Sequence, residues 1–273
     1  MTRTIYVAIG IGLLSLASAY ASEIREFDIP TLEKLGRELS RRDEMAARAS
    51  DLVLAKHPEL KTGPLLEWIT DLSNGGSVYW IVDTETQPTP VYKVTGDRIE
   101  DIHGKPLPLA IATRYKARQT AIRAARPKLN TAYGARYNFE VLNDPDGSGF
   151  LVYALAAFTK KYPVYTGGHL RITVSADGSK VERIDELSHG IIGQKADRGT
   201  EILAVATAQV VKTKYPVETW IYTSHLYNMP MYVATTDGAA WGVANGRIVR
   251  VDAKGPKNHL EILNGKAPEV PQD

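Results

Sequence analysis

Three times along this chain a helical stretch stops at a proline and hands over to strands that close in a glycine-turn hairpin. The stops are Ala55-Lys56-His57-Pro58, Ala125-Arg126-Pro127 and Lys214-Tyr215-Pro216. Proline ends a helix because it lacks an amide proton and pushes its predecessor out of the α region. The hairpins that follow turn at Gly96-Asp97, Asp177-Gly178 and Asn245-Gly246. Such pairs tolerate the positive φ that tight hairpins demand. Each hairpin goes on with a basic residue and a strand of alternating apolar positions. The pattern predicts an α+β chain of two or three tandem α-β-β-β units, each laying a helix on an antiparallel sheet.

The elements follow from local periodicity. Asp28 caps a first helix with Leu32, Leu35 and Leu39 on one face, and Ser40-Arg41-Arg42-Asp43 reads as the capping box of a second, carrying Ala46, Ala49 and Val53. Leu65–Leu72 reads as a short helix, then Val78–Val82 and Val91–Ile102 as strands. A helix over 109–125 leads to strands at 136–142, 150–158, 168–175 and 180–185. A last helix is expected over 200–213, before strands at 219–224, 231–235, 239–243 and 247–252. The expected organisation is a segment 1–21 that is removed, units at 22–105, 106–195 and 196–256, and a tail at 257–273.

The removable segment has the anatomy of an export signal. Arg3 precedes an uncharged apolar run from Ile5 to Leu16, and Ala19-Tyr20-Ala21 is a small-x-small cleavage site, leaving Ser22 first. A run of about 12 residues is too short to span a bilayer, which needs roughly 20. The expectation is a soluble periplasmic or secreted protein with no transmembrane segment in its mature part.

Composition excludes several chemistries. The chain has 273 residues, a net charge of +2 and no cysteine. Near-neutral charge argues against a general nucleic-acid binder. Without cysteine there is no thiol catalysis, haem attachment, iron–sulfur cluster or thiolate zinc site. No Gly-x-Ser-x-Gly elbow or His-Glu-x-x-His helix occurs, so no cofactor or metal is expected. Asp144-Pro145-Asp146-Gly147-Ser148-Gly149 lacks the ligand series of a calcium loop and reads as a turn.

The stretch Thr166-Gly167-Gly168-His169-Leu170-Arg171-Ile172-Thr173-Val174-Ser175-Ala176-Asp177-Gly178, within a helix-then-sheet region over 135–190, resembles PepSY-type domains and exported gram-negative proteins with PepSY-like repeats. The resemblance implies small periplasmic α+β modules, cystatin-like in shape, that inhibit peptidases or bind in the envelope. It carries no functional residue across.

Contact residues are sought where charge and backbone are unusual. Between Asp101 and Glu140 there is no acid, and Arg114 and Arg118 share a helix face four residues apart, suited to carboxylate or phosphate. His169 and Arg171 follow two glycines that open the backbone at a strand entry. These four residues are the expected binding positions, for an anionic protein or another envelope partner. The expected function is non-catalytic: a periplasmic binding protein, of the inhibitor or immunity type, acting on an envelope hydrolase or toxin. A polysaccharide or peptidoglycan hydrolase with a carboxylate pair and a structural envelope factor are the alternatives.

Overall fold

A computed structural model describes residues 7–9, 23–61, 66–83, 88–158, 164–194, 202 and 204–251. The expected cleavage point at Ala21–Ser22 and the tail at 257–273 lie outside the described residues. Helices and largely antiparallel sheets alternate, as the hairpin pattern predicts. The described strands form four sheets.

Helix α1 (Ile29–Lys56) is one helix of 28 residues, not two. Asp28 caps it, accepting from the Thr31 amide at 2.9 Å. Ser40 caps nothing. Its hydroxyl donates to the Gly36 carbonyl at 3.0 Å inside the unbroken helix. The buried residues Leu32, Leu35, Leu39, Arg42, Ala46, Ala49 and Val53 form a single stripe with alternating spacings of three and four. Such a stripe favours continuation over a break. Arg42 occupies its middle position and makes it look interrupted.

The two halves of α1 serve different sheets. Ala49 and Val53 pack with Val78, Trp80, Val91 and Val94. These belong to a meander of β2 (Leu66–Asp71), β3 (Ser77–Asp83), β4 (Pro88–Thr95) and β5 (Arg98–Asp101), paired in that order. The expected helix at 65–72 is therefore strand β2. Trp68 stands directly opposite Trp80. Asn74, Gly75 and Gly76, all at positive φ, turn the chain into a hairpin.

In the central region the expected helix and its four strands are present within a few residues. Helix α2 (Leu109–Ala125) lies on a sheet ordered β10-β9-β7-β6: β6 (Arg136–Asn143), β7 (Phe150–Ala157), β9 (Leu170–Val174) and β10 (Val181–Glu186). Ala117, Ala121 and Ala125 meet Phe139, Val141, Val152 and Ile172. The Asp177-Gly178 turn docks on α2, where a Cβ on Gly178 would lie 2.8 Å from the Thr113 carbonyl. β8 (Val164–Gly167), between β7 and β9 in the chain, and β11 (Ile191–Gln194), after β10, pair as a separate ribbon that periodicity does not reveal.

The third region departs from the repeat. The expected helix at 200–213 contains strand β12 (Ala204–Ala208), and the expected strand at 219–224 is helix α3 (Thr219–Leu226). β13 (Met231–Ala234), β14 (Ala240–Ala244) and β15 (Arg247–Arg250) complete the sheet, with β12 parallel to β13. Thr219 to Ser224 are all buried. A helix enclosed on every side shows no amphipathic period, and its Trp, Ile, Tyr and Thr mimic a strand. Residues 7–9, inside the expected export signal, form strand β1 (Val7–Ile9), parallel to β12 on its outer side.

Helices α1 and α3 cross at Gly36, where a Cβ would sit 2.5 Å from Ile221 Cβ and 2.7 Å from the Glu218 carbonyl. Neither atom is the end of a flexible chain. Gly36→Ala therefore costs about 1–3 kcal/mol by overpacking, outweighing alanine's better helix propensity. Urea denaturation checks this: equal or greater stability in the variant means the crossing is looser than described.

Candidate functional site

A row of polar side chains crosses the inner face of the central sheet. Cross-strand register places Asp185 opposite Arg171, Arg171 opposite Tyr153, and Tyr153 opposite Glu140. Directly opposed residues share a face, so four strands deliver one continuous line. All four residues are at most 2% exposed. The same face carries Leu142, Leu151 and Leu155, together with Asn138 opposite Leu155 and Thr173 opposite Leu151.

Arg171 sits at the centre of one end. Its guanidinium donates to Asp185 Oδ2 at 2.9 and 3.2 Å, to Glu218 Oε1 at 2.8 Å and to the Arg25 carbonyl. The Tyr153 hydroxyl donates to the same Glu218 oxygen at 2.6 Å. Burial lowers the Arg171 pKa, but Glu218, Tyr153 and Asp185 outweigh it, and the net shift is upward. Burial, reinforced by Glu218, pushes the Tyr153 phenol well above its ordinary value. The Phe27 ring lies 4.8 Å from both the Arg171 and the Arg25 guanidinium. Arg25 in turn binds Asp144 at 2.6 and 2.7 Å and Asp146 at 3.0 Å. The turn that superficially resembles a calcium loop thus gives its carboxylates to an arginine.

The other end holds two acids. Glu140 accepts from Trp68 Nε1 at 3.0 Å. Burial raises its pKa to about 7, and Asp43 adds to the rise, against smaller opposing effects of Trp68, Arg42 and Arg118. Asp43 accepts from Asn138 at 3.3 Å and from the Tyr222 hydroxyl at 3.2 Å, and its pKa is also raised by burial. Arg42, the charge in the stripe of α1, donates to the Thr70 carbonyl at 2.5 Å and to Glu38 at 2.6 and 2.9 Å.

The four residues singled out from sequence occupy the fold rather than a common surface. Arg118 is buried, donating to the Phe139 carbonyl at 3.1 Å and to Glu67 at 2.5 Å, beside the Trp68 ring. Arg114, partly buried, reaches the Val141 carbonyl at 3.1 Å and Asn143 at 2.8 Å. His169 is buried, and its Nδ1 accepts from the Ala156 amide at 3.0 Å. That bond places the ring proton of the neutral form on Nε2. Burial lowers its pKa to about 4. Gly167 and Gly168, at φ of 87° and 79°, make the turn that aims His169 inward. The residues that sequence reasoning missed are Asp43, Trp68, Glu140, Tyr153, Asp185 and Glu218. The one local signal belongs to Glu140, a lone acid between Phe139 and Val141 in β6. Only the register joins them.

Compared with known proteins, the chain matches no protein-family model, no curated protein and no solved structure.

Two variants probe the row. Arg171→Met leaves Asp185 and Glu218 buried without their shared counter-charge, an expected loss of about 3–5 kcal/mol by chemical denaturation; a loss below 1 kcal/mol means the charges are satisfied in another way. The pH profile separates Glu140 from His169. Glu140, raised from 4.5 to about 7, contributes stability that is complete below pH 4.5 and lost as pH rises through 7. His169, lowered from 6.5 to about 4, contributes stability that is complete above pH 6.5 and lost as pH falls through 4. Each amounts to roughly 3 kcal/mol, and between pH 4.5 and 6.5 the two slopes oppose. The advantage of Glu140→Gln over wild type therefore grows from pH 4.5 to 7, and that of His169→Asn grows from pH 6.5 down to 4. Variants that track the wild-type profile in parallel rule this assignment out.

Proposed function

We propose that this chain is an exported, non-catalytic binding protein of the cell envelope, an inhibitor or immunity-type partner of an envelope hydrolase or toxin. Its first two helix-and-sheet units are PepSY-like in this reading. The carrying observation is a groove of about 290 Å³ between α1 and the first sheet, lined by Arg41, Met45, Arg48, Gly76, Val78 and Val94. Arg41 and Arg48 are exposed at its rim. Nothing lies within 4 Å of a Cβ built on Gly75 or Gly96, so the groove opens outward there. Glu44 also lines it, and Arg48 faces Asp97 at 3.6 Å across exposed side chains. Methionine adapts its shape to a contacting chain, and guanidiniums suit carboxylates. The anionic contact expected from sequence moves in this reading from α2 to the outer face of α1. Among the described residues no helix is long and apolar enough to cross a membrane.

One observation favours a second reading. Asp43 helps to raise the pKa of Glu140, and burial raises that of Asp43; glycoside hydrolysis uses a carboxyl pair of unequal acidity. Against it, Glu140 is only 1% exposed, and a general acid has to reach the leaving oxygen.

Affinity capture from the periplasm, followed by inhibition assays on the captured protein, tests the proposal. A hydrolase or toxin recovered at one-to-one stoichiometry, inhibited by the purified chain and released at least tenfold by Arg41→Glu plus Arg48→Glu, is the expected result. Binding indifferent to that double variant removes the groove. Glycan hydrolysis abolished by Asp43→Asn and Glu140→Gln establishes the hydrolase instead.

A further inference from the structure

The outer edge of β12 is covered by β1, which lies inside the segment expected to be removed on export. Val7, Ala8 and Ile9 pair in parallel with Ala204, Val205 and Ala206. Those three residues lie inside the apolar run expected to leave with residues 1–21, whereas Glu23, which bridges in parallel to Lys212, stays. If the chain is processed as proposed, one sheet loses its border strand and keeps everything else.

The edge so uncovered differs from the charged edges of the three larger sheets at β5, β10 and β15. Natural edges discourage pairing with charges, prolines or bulges. β5 carries Arg98, Glu100 and Asp101; β10 carries Glu182 and Arg183 beside a register shift; β15 carries Arg247 and Arg250. β12 reads Ala-Val-Ala-Thr-Ala, uncharged and without proline. The amides of Val205 and Gln209 point the other way, to the Pro230 and Ala234 carbonyls. Successive amides of a strand alternate in direction, so those of Ala204, Ala206 and Ala208 face the edge.

We infer that this edge is a strand-acceptor site: in the processed protein it binds an extended, uncharged, β-branched segment of a partner protein, running parallel to β12 in the place of Val7–Ile9. The site rests on the export reading and is separate from the groove beside α1. Backbone hydrogen bonds supply the affinity in strand addition, and alternate side chains the selectivity.

The test uses the chain recovered from the periplasm of a gram-negative host, its N-terminus read by intact mass. The probe is a fluorescent peptide with the sequence of residues 5–11 between solubilising lysines, followed by anisotropy. Processed protein is expected to bind it, with at least tenfold weaker binding in Ala206→Pro, which removes an edge-facing amide and leaves the β13 ladder intact. Two further peptides keep the test independent of that variant's folding. N-methylation of the alternate amides that face β12 abolishes binding, and N-methylation of the other set does not. A mass that retains residues 1–21 defeats the export reading and, with it, the vacated edge. A processed chain that ignores the peptide, or binds both methylated forms equally, defeats the acceptor site while export stands. Processed chain that dimerises through this edge, and becomes monomeric in Ala206→Pro, makes a second copy the occupant and overturns the partner assignment.

Discussion

A guanidinium with 1% of its side chain exposed, set in the middle of a sheet, is the interaction on which this architecture depends. A buried cation is tolerated only where its charge and its donors are met. Arg171 meets them with Asp185 from the next strand, Glu218 at the start of α3 and the carbonyl of Arg25 from the segment before α1. Partners drawn from residues 25, 185 and 218 fix three distant parts of the chain against one side chain. The apolar core on that face supplies more area, but area does not choose between packings. Directional donors do, and the row from Asp185 to Glu140 carries that selectivity across all four strands.

Helix α1 extends the same frame to the first sheet. One three–four stripe faces α3 and the C-terminal sheet with Leu32, Leu35 and Leu39, and the first sheet with Ala49 and Val53. Arg42 marks the changeover and is tied to β2 through Thr70. The charged residue in the stripe thus sits at the changeover between two cores, held by Glu38 of its own helix and by the Thr70 carbonyl, bonds that an apolar residue could not make.

Much of the α+β alternation was legible in the residues, and helix α2 with strands β6, β7, β9 and β10 nearly to their ends, because helix α2 and the strands around Asp177-Gly178 have strong local signals. The errors have specific causes. Ser40 and Asp43 imitate a capping box, yet Ala46, Ala49 and Val53 keep the phase of Leu32, Leu35 and Leu39. Trp220, Ile221 and Tyr222 suit a strand, and full enclosure between α1 and the C-terminal sheet overrides that preference. The ribbon of β8 and β11 joins segments more than twenty residues apart and leaves no local trace. The polar row was the least visible feature, since Arg171 was noticed for its flanking glycines while its true company is set by strand register. Arg118, read from sequence as part of a charged face, lies inside because Glu67 and the Phe139 carbonyl receive it.

Among the described residues, the first helix is closed by the last hairpin. Arg37 in α1 donates to the Gly246 carbonyl at 2.7 Å, and Glu33 accepts from the Ile248 amide at 2.9 Å, across more than 200 residues. Contacts of such separation require a large loop to close before they return anything, and they slow folding. During synthesis from the N-terminus, the apolar stripe of α1 has no final cover until the β14–β15 hairpin has been made. The topology therefore postpones completion of this core until the last described strand has been made.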